Sequence, residues 1–171
     1  MRRTIVIFLN GTVVDEIEKI REVHDPLFGL IPPHSTLVFP FESDVSNGIL
    51  RGHIIESIQG IESFYINLDQ IVTSHGEYLF LLVREGKEKI IQLHDRLYSG
   101  ILADFLYEDI PYIPHVTVGR KEDEKLAAKA VQDIPLLCNK IELYIEKIVV
   151  ESIGENEESI VEFEIGLLKL E

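Results

Sequence analysis

Two short stretches decide how this chain folds: Ile31-Pro32-Pro33-His34-Ser35-Thr36-Leu37 and Tyr112-Ile113-Pro114-His115-Val116-Thr117-Val118. Each runs from a proline into His-x-Thr-aliphatic. The proline fixes φ and favours an extended entry, so each stretch reads as the start of a strand. Side chains alternate along a strand, which puts His34 and Thr36 on one face about 7 Å apart and sends Leu37 and Phe39 to the other. The second copy obeys the same rule, with His115 and Thr117 opposite Val116 and Val118.

Working outward, each copy sits in a similar context. A long amphipathic helix precedes the proline-rich approach; a short strand, a short helix and paired strands follow it. Ile5 to Leu9 is a first strand closed by Asn10-Gly11. Val13, Ile17, Ile20 and His24/Leu27 then recur at helical spacing. His34 to Phe41 is a strand that reaches an edge or ends at Pro40, and Leu50 to Ile58 is a short helix. Ser63 to Thr73 and Tyr78 to Arg84 form a hairpin around Ser74-His75-Gly76-Glu77. Ile90, Leu93/His94, Leu97, Ile101 and Phe105 mark one long helix, and Leu126 to Val131 a short one. Ile141, Leu143 and Ile145 alternate before the phase slips to Ile148 and Val150, which reads as a bulge near Glu146-Lys147. Val161 to Leu167 is the last strand. Strands, helices and hairpins mix in this way in an α+β fold with mainly antiparallel sheets. The duplication predicts one domain over 1–171, made of two similar lobes that face each other across a central cleft with helices packed outside.

Composition narrows the function. The chain has 171 residues, enough for a substantial core, and no apolar run approaches the length of a membrane span. Met1-Arg2-Arg3 and the stretch behind it are too short for a signal peptide. With Cys138 as the one cysteine, neither an intrachain disulfide nor a thiolate zinc cluster can form, and a cytoplasmic setting is expected. The formal charge is −14, and residues 142–171 carry nine Glu against Lys147 and Lys169. Extended nucleic-acid backbone binding needs an electropositive face and is not expected. Any phosphate site must be local and must accept a small or terminal anion. There is no Walker loop, dinucleotide fingerprint or nucleophile elbow. No residue pattern fixes an oligomeric state.

Two imidazoles and two hydroxyls around one point can cleave a phosphodiester. Imidazole titrates near pH 6.5, so one ring can be neutral and accept a proton while the other is charged and donates one. Hydroxyls can hold the phosphoryl oxygens. Threonine is a poor metal ligand, so no metal site is assigned to the tetrads. Arg120 could reach a phosphate, although strand parity puts it opposite His115. Tyr112 and Phe8 could stack on a base, core packing being the simpler role for Phe8. Tyr107 and the loop from Glu108 to Ile113 form a candidate rim. His24 and His94 fall on or beside buried helical stripes, His53 trims a short helix, and His75 is a solvated turn residue.

The paired tetrads His34-Ser35-Thr36-Leu37 and His115-Val116-Thr117-Val118 resemble the signature of the 2H phosphoesterases, which include the RNA 2′,3′-cyclic phosphodiesterases historically called 2′-5′ RNA ligases. The resemblance covers nearly the whole chain and is closest to a small bacterial phosphoesterase branch. It implies a bilobal α+β fold, His34 and His115 as an acid/base pair, and Thr36 and Thr117 on the phosphate. The implied reaction is metal- and cofactor-independent opening of a cyclic phosphodiester, with a small cyclic nucleotide or an RNA terminus as partner. Three alternatives stay open on sequence alone. One is a module that binds a nucleotide or terminal phosphate without turnover. Another is an RNA-end ligase running the reverse reaction, and the third is an interaction domain using its acidic face.

Overall fold

The computed structural model describes residues 1–12, 14–135 and 141–169; Val13, expected to open the first helical stripe, and Cys138 lie outside the described residues. Strand β1 (Arg2–Phe8) leads to α1 (Val14–His24), and β2 (His34–Glu42) carries the first tetrad. Helix α2 (Asn47–Ser57) starts where the Ser46 hydroxyl accepts from the Ile49 backbone N–H. The hairpin β3 (Phe64–Ser74) and β4 (Tyr78–Glu85) is followed by α3 (Lys87–Leu97), and the second tetrad lies on β5 (His115–Arg120). Helix α4 (Glu124–Asp133) is capped by the Asp123 carboxylate, which accepts from Leu126 N–H. Strands β6 (Ile141–Ile145), β7 (Lys147–Ile153) and β8 (Ser159–Gly166) complete the fold. Among the described residues no helix is long and apolar enough to cross a membrane.

The strands form two four-stranded antiparallel sheets, ordered β2-β1-β7-β8 and β5-β4-β3-β6. The duplication is visible in this order: β1-α1-β2 and β4-α3-β5 each place a His-x-Thr strand at the edge of its own sheet. Helix α1 packs on β5 and α3 packs on β2, so each repeat covers the other's histidine strand. Gly119 permits one of these approaches, because a Cβ there would lie 2.8 Å from His24 Cβ and 2.9 Å from its carbonyl oxygen. One apolar cluster joins both sheets, with Ile5, Ile7 and Leu37 from the first meeting Leu81, Val116 and Val118 from the second. Burial of that size is the main stabilising contribution.

Three expectations need correction. The long helix expected through Phe105 is two segments. Helix α3 ends at Leu97, Gly100 takes a left-handed φ of +50°, and a 3₁₀ helix covers Gly100–Phe105. The apolar rhythm continues through the break because Leu102 still reaches the core, whereas Ile101 is exposed. The phase slip after Ile145 is a change of sheet, with no bulge: Ile145 pairs with Phe64 in one sheet and Lys147 with Gly166 in the other. Finally, β2 carries two register shifts against β1, on either side of the Ile5–Val38 pair. Simple alternation therefore fails beyond Leu37. Val38 is fully buried, and Phe39 turns away from the core to remain partly exposed.

Candidate active site

The two edge strands β2 and β5 contribute to one cavity of about 570 Å³ whose wall includes His34, Thr36, His115 and Thr117. The local construction is duplicated in detail. In each half the carbonyl of the proline before the histidine accepts from the neighbouring segment, Pro33 O from Leu9 N–H at 2.9 Å and Pro114 O from Val83 N–H at 3.1 Å. The carbonyl one residue further back holds the ring: Pro32 O lies 2.9 Å from His34 Nδ1, and Ile113 O lies 2.5 Å from His115 Nδ1. A carbonyl can only accept, so Nδ1 carries the proton in both rings and Nε2 is the free nitrogen. Aromatic neighbours fix the ring planes. Phe80 stacks on His115 with centroids 3.4 Å apart, and Phe8 meets His34 edge to face at 6.3 Å.

The rest of the wall is mostly apolar. Leu27 and Ile31 come from the α1–β2 connection, Phe39 and Pro40 from β2, and Tyr107, Ile110, Pro111 and Ile113 from the loop before β5. That loop is the rim expected from sequence. Among the described residues no lysine or arginine lines the cavity, and Asp25 is its one carboxylate. Asp25 is held by the buried Arg21, whose Nε donates to it at 2.7 Å, and it accepts the Leu27 N–H at 2.9 Å. Among the described residues no cluster of three or more His, Cys, Asp or Glu is arranged to hold a metal ion.

Burial is the first cause of the shifts at both rings. It pushes His34 down from its ordinary value, against the Pro32 hydrogen bond, and nearby Arg21 adds to the fall. His115 is pushed down to about 4 by burial, partly opposed by the Ile113 hydrogen bond, with His34 and His75 lowering it further. His34 and His115 are therefore neutral imidazoles at neutral pH. An entering anion works in the opposite sense, because an opposite charge favours the protonated ring.

Two candidate residues stand elsewhere. Arg120 points out of the cavity, as strand parity requires: its guanidinium lies 2.8 Å from Glu77 and 5.1 Å from the Tyr78 ring centroid. Tyr112 stacks on His94 at 3.6 Å, and its hydroxyl donates to Thr36 O at 2.7 Å, so it braces the tetrad strand from behind. His94 Nδ1 donates to Leu37 O at 2.8 Å, and the Tyr98 hydroxyl accepts from Phe39 N–H at 2.9 Å. These three side chains partner the backbone of β2 at Thr36, Leu37 and Phe39. Burial lowers His94 and raises Tyr98 and Tyr112, keeping all three neutral. The sequence signal for His94 was helical spacing alone, which reads as core, and Tyr112, expected to stack on a base, stacks on His94 instead. His53 Nε2 bonds to Leu97 O at 2.9 Å and links α2 to the end of α3, while His24 is partly buried against Gly119. His75 is exposed as expected, yet it also lines the cavity. Nothing in the sequence marked it, because the turn that aims it is a matter of backbone handedness.

The sequence matches the family described as the 2′-5′ RNA ligase superfamily over residues 11–156. A Bacillus licheniformis protein named "Putative phosphoesterase" is 32% identical over 124 residues, covering 71% of this chain and 72% of that protein. A Geobacillus protein of the same descriptive name is 32% identical over 128 residues, covering 70% of this chain and 69% of its own. Among solved structures, a Thermus thermophilus protein superposes with a TM-score of 0.73 at 16% identity over 100% of both chains. Escherichia coli LigT, in a complex with 3′-AMP, superposes with a TM-score of 0.71 at 18% identity over 97% of both chains.

Proposed function

The chain belongs to the 2′-5′ RNA ligase superfamily, the 2H phosphoesterases, and from that premise we propose that it hydrolyses a cyclic phosphodiester, either a 2′,3′-cyclic nucleotide or the cyclic phosphate of an RNA terminus. In this reading His34 and His115 are the general acid and base, and Thr36 and Thr117 bind the phosphoryl oxygens. One observation carries it: both rings and both hydroxyls line a single cavity, each ring with Nδ1 tied to a carbonyl and Nε2 left for proton transfer.

The neutral ring takes a proton from water through Nε2 as the water oxygen bonds to phosphorus. The protonated ring gives its proton to the ribose oxygen as that P–O bond breaks. The two rings end with their charges exchanged, so either can be the base depending on direction. Each transfer typically contributes about 10²–10⁴-fold. The Thr36 and Thr117 hydroxyls donate to the non-bridging oxygens as charge builds there. Because the substrate is anionic, its charge raises the His34 and His115 pKa values against the depression by burial and favours the protonated partner.

The shape of the cavity agrees with a nucleotide-sized occupant. LigT, which shares the fold, has been crystallised with ATP, 3′-AMP and NADP+. Phe39 and Tyr107, 5.8 Å apart edge to face, offer an aromatic wall for a base. The −14 net charge and the wall without lysine or arginine among the described residues disfavour a long RNA backbone.

The test is turnover of a 2′,3′-cyclic nucleotide panel in EDTA. His34→Ala and His115→Ala should each lose at least about 10²-fold in kcat, and the pH profile should be bell-shaped. Wild-type rates in either variant would refute the assignment.

A further inference from the structure

The cavity holds a third imidazole that the two-histidine scheme leaves idle. His75 sits at the tip of the β3–β4 hairpin and lines the same cavity as His34 and His115. Its ring centroid is 6.2 Å from Phe80, and Phe80 is stacked on His115 at 3.4 Å, so the separation of the two imidazoles cannot exceed the sum of those distances. His75 is also near enough to act electrostatically on His115.

The backbone that aims this ring is unusual. His75 has φ +49° and Gly76 +80°, two successive left-handed residues in the three-residue turn closed by the Ser74–Tyr78 pair. Histidine is less comfortable in the first of these positions than asparagine, although it is among the side chains that enter the left-handed region more readily. The ring is oriented as well as aimed: Ser74 Oγ lies 2.9 Å from Nδ1, which leaves Nε2 for a ligand.

Charge gives the reason for a third ring. A phosphodiester is an anion, yet among the described residues no lysine or arginine lines the cavity, and its one carboxylate, Asp25, is already matched by Arg21. In an acid/base pair one ring must be neutral at every stage, so the pair supplies one positive charge that moves during the reaction. A further imidazole N–H can supply a hydrogen-bond donor that stays in place throughout.

We propose that His75 is a substrate-binding residue that donates through Nε2 to the phosphoryl oxygen facing the cavity mouth, making a third histidine contact to the anion. This rests on the reading of the cavity as a phosphoester site, but it requires binding only, not turnover.

The test uses the full chain and inorganic phosphate as the probe, followed by imidazole NMR resonances. In the wild type the resonances of His75 should shift saturably together with those of His34 and His115. His75→Asn, which suits the turn, should weaken phosphate binding about tenfold, the loss expected for a hydrogen bond to a charged group. The same variant should raise KM for a 2′,3′-cyclic nucleotide by a similar factor while kcat changes less. Saturable shifts at His34 and His115 with His75 unmoved would overturn the proposal without any variant. So would wild-type phosphate affinity in His75→Asn. Three-ring phosphate binding in a protein with no turnover would support this inference and sink the hydrolase reading. Phosphate binding by none of the rings would sink both.

Discussion

The Tyr112 hydroxyl donates to the Thr36 carbonyl oxygen at 2.7 Å, so the approach to the second tetrad holds the backbone of the first. Strand β2 is an edge strand, and the outer backbone groups of an edge need partners when they are buried. Here Tyr112, His94 and Tyr98, all from the second repeat, provide them at Thr36, Leu37 and Phe39. The position of Thr36 in the cavity therefore depends on residues that do not line it.

Tyr112→Phe keeps the stack on His94 and removes only the hydroxyl. The unpaired Thr36 carbonyl should cost about 1–3 kcal/mol in urea denaturation, with a fall in kcat/KM as β2 loosens. Unchanged stability and activity would mean that the brace carries nothing.

The His115 ring makes stability depend on pH in a definite direction. Its folded value of about 4 lies below its ordinary 6.5, so between these values the unfolded chain binds more protons. Stability is complete above about pH 6.5 and is lost as pH falls towards about 4. His34, also lowered, acts in the same sense. Urea midpoints measured across this window should fall with acidification, and His115→Gln should flatten the curve. A wild-type curve that rises on acidification would contradict the burial of these rings.

Glu151 is fully buried on β7, and burial raises its carboxyl above the ordinary value of 4.5; only the Ser159 hydroxyl opposes this. Its other oxygen, Oε1, has no hydrogen-bond partner among the described residues. A raised folded value means that the carboxyl costs stability as pH rises above its unfolded titration. Glu151→Gln should therefore stabilise the protein near neutral pH and change little at pH values below about 4. Equal effects at both pH values would show that the charge is not the cause.

Gly119→Ala should separate α1 from β5. The new Cβ would come within 2.8 Å of His24 Cβ and 2.9 Å of its carbonyl oxygen, and one of these is backbone that cannot rotate away. A loss of about 1–3 kcal/mol is expected, as for overpacking, measurable by thermal or urea denaturation. Wild-type stability would mean that the helix moves at no cost.

Much of this was legible in the linear chain because it is local. Proline-histidine-x-threonine repeated with aliphatic flanks specifies strands whose polar face carries one imidazole and one hydroxyl, and period-two alternation needs only neighbouring residues to be read. The helices α1, α2 and α4 followed from apolar spacing for the same reason. The hidden parts are those where the backbone departs from a simple period. Gly100 breaks the helix that apolar spacing continued, the register shifts in β2 turn Phe39 towards the cavity, and the left-handed pair His75-Gly76 aims a third ring into it.

The sequence by itself determined the class of fold, the duplication and the placing of one histidine and one threonine on the same face of each tetrad strand, since each is a property of short segments repeated in a recognisable order. Only the tertiary structure decided that each repeat's helix covers the other repeat's histidine strand, that Tyr112 and His94 brace β2, and that β6 and β7 belong to different sheets. The reason is physical: alternation and spacing record which side of an element is buried, but what it is buried against depends on long-range packing of the whole apolar core, which no local period encodes.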